Sequence, residues 1–187
     1  MRRALQSLGL ACSLGCGSVM LAASAHGQTT TWLGGAGNWT DAGRWDEGMP
    51  GTTSDVRIDD DPTVASDVLL NTFATIHGLT LDAGDLVRIG PGQRLHFEGA
   101  DATLANDGLV QPEGTGFTWI RLNSDLALSG TGAIRLNGGS NGINGFSPSG
   151  PPLLLHGPGH TIEGAGRIGS GLEVVNQASS TPCPARA

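Results

Sequence analysis

Asp59-Asp60-Asp61 is the densest acidic run in the chain, and three adjacent carboxylates supply the hard oxygen donors that calcium takes. Pro62 follows at once, and neither the spaced loop of an EF-hand nor a Gly-Gly-x-Gly-x-Asp nonapeptide is present, so a solvated turn competes with a calcium site. Among the five histidines only His156 and His160 stand four apart, and Gly157-Pro158-Gly159 between them makes a turn. That removes the one-face-of-a-helix argument for zinc. A carbohydrate-cleaving enzyme needs clustered acids and a base; Asp82, Asp85, Arg88 and Arg94 are near one another in sequence. Nothing in the sequence fixes these four on one face, and arginine is a poor base at its ordinary pKa. Trp32, Trp39 and Trp45 are candidates for stacking on sugar rings, and equally for covering an apolar core. Nucleophile elbows, phosphate-binding glycine loops and Cys-x-x-Cys pairs are absent, so the reading is a non-catalytic protein with no cofactor.

The elements that would position these residues are short and of one kind. Asp55-Val56-Arg57-Ile58, Leu86-Val87-Arg88-Ile89, Arg94-Leu95-His96-Phe97, Trp119-Ile120-Arg121-Leu122 and Ala133-Ile134-Arg135-Leu136 alternate apolar with polar residues. That is the period of a strand with one buried face. Similar segments recur about every seven to eleven residues, separated by Gly, Asp, Asn and Pro, which turn corners at little steric cost. The pattern predicts a single-stranded parallel β-helix in which each strand stacks on its equivalent one coil later. Residues 56–177 make about six coils at roughly 20 residues each. A β-sandwich is the alternative, because its strands recur at similar intervals. Residues 138–152 are rich in Gly, Asn, Ser and Pro and read as a loop leaving one face. Residues 26–55 read as a Trp-rich cap over the first coil, since a solenoid exposes its apolar end unless something covers it.

The 31 Gly and 10 Pro among 187 residues leave little room for long helices, and with no Tyr, four Phe and four Trp the core is a thin aliphatic stack. All ten basic residues are Arg, which reads as a coding bias. Residues 1–25 carry Arg2-Arg3, an apolar stretch and then Ala23-Ser24-Ala25, the three parts of a cleaved export signal. Cleavage removes Cys12 and Cys16, leaving Cys183 alone and no intrachain disulfide. It also removes two positive charges from a chain whose formal charge is −7. Nucleic acid and anionic membrane are poor partners for such a surface. No integral membrane segment remains after cleavage.

Three stretches resemble the passenger regions of autotransporter-like adhesins. They are Thr31-Trp32-Leu33-Gly34-Gly35 with the Trp-rich run after it, Leu126 through Gly139, and His160 through Gln177. The resemblance implies an exported, secreted or outer-membrane-associated surface protein of a Gram-negative-type bacterium. Its partners would be glycans or proteins on host or neighbouring cells. Passengers of this kind usually continue for many more coils. Here Asn176-Gln177 is followed by residues 178–187, which have no strand pattern, so the chain reads as an N-terminal fragment, truncated or frame-shifted, with a short natural tail as the milder alternative.

Overall fold

The computed structural model describes residues 27–177 apart from 59, 60, 62 and 115; the export signal predicted for residues 1–25 and the tail predicted for 178–187 lie outside the described residues. Its strands form three parallel faces of one column. Face one stacks β1 (Thr29–Trp32), β3 (Asp55–Ile58), β6 (Gly78–Leu81), β9 (Ala102–Asn106), β12 (Leu126–Ser129), β14 (Leu153–His156) and β16 (Glu173–Asn176). Face two stacks β2 (Ala36–Asn38), β4 (Asp67–Leu70), β7 (Leu86–Ile89), β10 (Leu109–Pro112) and the first halves of β13 (Ala133–Gly145) and β15 (Thr161–Ile168). Face three stacks β5 (Ala74–Ile76), β8 (Arg94–Phe97), β11 (Thr118–Leu122) and the second halves of β13 and β15. Every ladder between these strands is parallel, which excludes the sandwich. A coil takes about 25 residues, as the pairing of Asp55 with Gly78 and of Gly78 with Thr103 shows. No described helix is long and apolar enough to cross a membrane.

Parallel stacking in register puts like residues above one another. Val68, Val87, Val110 and Ile134 form one inward column, Leu95, Ile120 and Ile143 a second, and Leu79, Leu104 and Leu128 a third, all essentially without solvent exposure. Each such side chain contributes about 1.5–3 kcal/mol by leaving water. The column is therefore held by a thin, continuous aliphatic core, as the composition predicts.

Two boundaries differ from the sequence reading. The Trp-rich segment is itself the first rung: β1 pairs with β3 and β2 with β4, so the column begins at Thr29 and not at Val56. Residues 138–145 do not loop out but continue β13, which turns from face two to face three at an irregularity between Asn137 and Gly142. The buried Asn141 holds that bend by donating from Nδ2 to the Gly114 carbonyl at 2.9 Å. Gly142 has no room for a side chain, because a Cβ there would lie 2.0 Å from the Arg167 carbonyl oxygen. Loop-forming composition is overridden here by a backbone that pairs with β11 over residues 141–145 and with β15 on the other side at Gly142 and Ile143. Only residues 146–152 leave the column.

Close rung spacing makes some corner glycines obligatory. Gly130 has φ +105°, and a Cβ on it would sit 2.2 Å from the Asn106 carbonyl oxygen. Gly130→Ala is expected to cost at least about 2 kcal/mol from strain and clash together. In a domain of this size that lowers Tm by roughly 5 °C, read from a thermal melt followed by circular dichroism. An unchanged melt would mean that the corner relaxes freely.

Candidate functional site

The residues singled out by sequence are dispersed by the fold. Asp61 is exposed; its carboxylate accepts from the Thr63 amide at 2.9 Å and the Thr63 hydroxyl at 2.6 Å, bonds that lower its pKa. Asp59 and Asp60 lie outside the described residues. Among the described residues no group of three His, Cys, Asp or Glu side chains is placed to hold a metal ion.

Trp32, Trp39 and Trp45 are buried, and Trp45 packs edge-on against both of the others at centroid distances of 5.0 Å. Two of the indole N–H groups are also engaged: Trp32 donates to the Gly35 carbonyl at 3.0 Å and Trp45 to the Trp39 carbonyl at 2.8 Å. These rings offer no open face to a sugar.

Asp82, Asp85, Arg88 and Arg94 are not brought together. Asp85 is buried at a corner, where its carboxylate accepts from the Ser66 and Asp82 amides at 3.0 and 3.2 Å. Arg88 projects from face two and pairs with Asp67 at 2.7 Å. Arg94 belongs to face three.

Face three carries the concentration of unsatisfied chemistry. Alternation sends Leu95, Phe97, Ile120 and Leu122 inward, so Arg94, His96, Trp119 and Arg121 project outward. Register sets Arg94 beside Trp119 and His96 beside Arg121, with Gly142 and Asn144 on the next rung. Only Gly fits beneath the indole, since a Cβ on Gly142 would come 2.9 Å from Trp119 Cζ3. Two exposed phenylalanines frame the group: the Arg94 guanidinium lies 5.2 Å from the Phe73 ring and that of Arg121 5.2 Å from the Phe146 ring.

Strand spacing and rise put the Cα atoms of Arg94 and Arg121 about 8 Å apart on the diagonal. The strands of face three contribute no acidic side chain, although the chain as a whole is acidic. Neither arginine has an ion-pair partner among the described residues; Arg121 Nε makes one long contact, 3.4 Å, with Asn144 Oδ1. Arg94 Nε and His96 Nε2 are buried without a partner. The charges act on one another: burial and then Arg94 lower the pKa of Arg121, while burial, Arg121 and Arg94 lower that of His96 against a smaller opposing effect of Glu98 just beyond the strand. This is a cationic and aromatic platform in which Arg94 Nε and His96 Nε2 have no partner.

No protein-family model, curated protein or solved structure matches this chain. The site must therefore be read from its own geometry.

A wide groove lies elsewhere. It spans about 750 Å³ at the corner between faces three and one, under residues 146–152, and is lined by Asp101, Thr103, Ser124, Asp125, Pro151 and Leu155 among others. Asp125 is already engaged, accepting from the Leu153 amide at 2.8 Å. No cation or aromatic ring lines this groove, so its size outweighs its chemistry. His77 is likewise employed in joining rungs: Nδ1 meets Asp55 Oδ1 at 2.7 Å and Nε2 meets the Ala100 carbonyl at 2.9 Å, contacts that raise its pKa.

Sequence reasoning named Arg94 only as a possible base and passed over His96, Trp119 and Arg121. The signal was present in the outward positions of two strands already recognised, Arg94-Leu95-His96-Phe97 and Trp119-Ile120-Arg121-Leu122.

Proposed function

We propose that the protein is an exported adhesive β-solenoid that binds glycans of a neighbouring surface along face three, without cleaving them. The observation that supports this most is the platform of Arg94, Trp119 and Arg121 on adjacent rungs of a rigid column. A half-open indole flanked by forked donors suits a sugar ring, whose apolar face stacks while its hydroxyls and substituents accept hydrogen bonds. The export signal and the passenger-like coils are consistent with presentation at a cell surface, as in autotransporter-like adhesins.

A glycan array probed with the purified protein, followed by titration of the hits, tests the reading. Saturable binding is expected, and Trp119→Ala is expected to weaken it about tenfold, the effect of losing one stacked ring of about 1–1.5 kcal/mol. Release of oligosaccharide products in a depolymerisation assay would replace adhesion by carbohydrate cleavage. Absence of binding to every glycan would overturn the proposal.

A further inference from the structure

We propose that the ligand of face three is an acidic polysaccharide, with uronate carboxylates held by the forked donors of Arg94 and Arg121 and a sugar ring between them lying on Trp119. This inference rests on the glycan-binding reading and names its chemical class. Each guanidinium presents a planar fork that matches a carboxylate in two parallel hydrogen bonds. The cation–π contacts with Phe73 and Phe146, at 5.2 Å each, restrain the two guanidinium groups and reduce the side-chain freedom lost on binding. Two cations facing each other without a carboxylate between them repel, and an anion placed there turns that repulsion into attraction.

The charge count selects the polymer. Two arginines stand on a chain with 17 acidic groups, so a densely phosphorylated strand such as nucleic acid would be repelled by most of the surface. A chain bearing one carboxylate per sugar meets the two cations without demanding more. Trp119, opposite Arg94 in register and two residues before Arg121 on the same strand, leaves the sugar face something to stack on, which a small free anion would not use.

The discriminating pair of probes is polygalacturonate and its fully methyl-esterified form, which share sugars and linkages but differ in charge. Binding is measured by isothermal titration calorimetry at two salt concentrations, with alginate as a second uronate and dextran as a second neutral polymer. Polygalacturonate or alginate is expected to bind at least tenfold more tightly than the ester or dextran, and to weaken as salt rises. Arg94→Gln and Arg121→Gln are each expected to reduce uronate affinity about tenfold or more and to reduce neutral binding by a smaller factor. Neither arginine has an ion-pair partner among the described residues, so both variants should keep the parent melting temperature, which the same samples report. Equal binding of charged and esterified polymers would overturn the acidic class and leave the glycan reading standing. Failure of all four polymers, together with a blank array, would remove both.

Discussion

Between pH 7 and pH 4 the protein is expected to lose about 3 kcal/mol of stability, most of it through one imidazole. His160 is nearly fully buried, and burial first, then the charge of His156, push its pKa from 6.5 down to about 4, against a smaller opposing effect of Asp107. The geometry explains why the neutral form is required. Asn106 is fully buried, and its Nδ2 donates to the Ala133 carbonyl at 2.9 Å, which fixes the direction of the amide. The same amino group lies 2.9 Å from His160 Nε2, which must then accept. His160 Nδ1 donates onward to His156 Nε2 at 3.2 Å, and His156 Nδ1 to Asn176 Oδ1 at 3.1 Å. A proton added at His160 Nε2 would set an N–H donor against an amide N–H in the core.

The sign follows from the depressed folded pKa. The unfolded chain takes up the proton first, so this contribution is complete above about pH 6.5 and falls away as pH drops through the window to about 4. At about 1.4 kcal/mol per pKa unit the window is worth roughly 3 kcal/mol, or about 6–12 °C in Tm. His96, also lowered, acts in the same direction. His77, raised by the Ala100 carbonyl and Asp55, acts oppositely: its contribution is present in acid and is lost as pH rises through its folded pKa. Urea titrations at half-unit pH intervals measure the slope, and His160→Gln is expected to flatten it. A parent protein equally stable at pH 7 and pH 4 would show that the chain of imidazoles does not control the last coils.

The strand rhythm and the three-sided column follow from local alternation, and residues 86–97 show why they were legible. Leu86-Val87-Arg88-Ile89 and Arg94-Leu95-His96-Phe97 bury every second residue, and Pro91-Gly92 turns the corner between them. What sequence could not disclose is which coil lies on which. Arg121 stands beside His96 only because the coils stack in register, and a separation of about 25 residues leaves no local trace. His156 was hidden in the same way: it occupies the inward column above Leu104 and Leu128, where a histidine was not expected. The first rung escaped notice because its inward positions are Thr30, Trp32 and Gly37, a set with no aliphatic alternation. Gly37 is small for a reason that only the fold shows, since a Cβ on it would come 2.9 Å from Trp32 Cη2. Composition misled in residues 138–145 because glycine and asparagine mark both exposed loops and tightly paired bends.

Trp45→Ala is expected to be the most destabilising single change at the N-terminal end, at about 3–5 kcal/mol. The indole lies between Trp32 and Trp39 with interplanar angles of 73° and 64°, so its removal opens a cavity that neither neighbour can fill by a small rotation. It also leaves the Trp39 carbonyl without the N–H that it accepts at 2.8 Å, and disturbs the antiparallel bridge between Trp32 and Trp45. In a column whose rungs contact only their neighbours, the loss stays near the end that suffers it. Hydrogen exchange should therefore accelerate in β1, β3 and the Gly35-to-Asp67 amide contact, while β10, β11 and β13 keep their protection. Trp45→Phe, which retains a ring but not the donor, is expected to fall between parent and alanine. The same separation makes a functional forecast: below its lowered melting point, Trp45→Ala retains full ligand affinity at Arg94, Trp119 and Arg121, because these sit two and three rungs away from the first. Loss of binding in step with the exchange at β1 would instead mean that the column transmits strain along its length and that the first rung orders the platform.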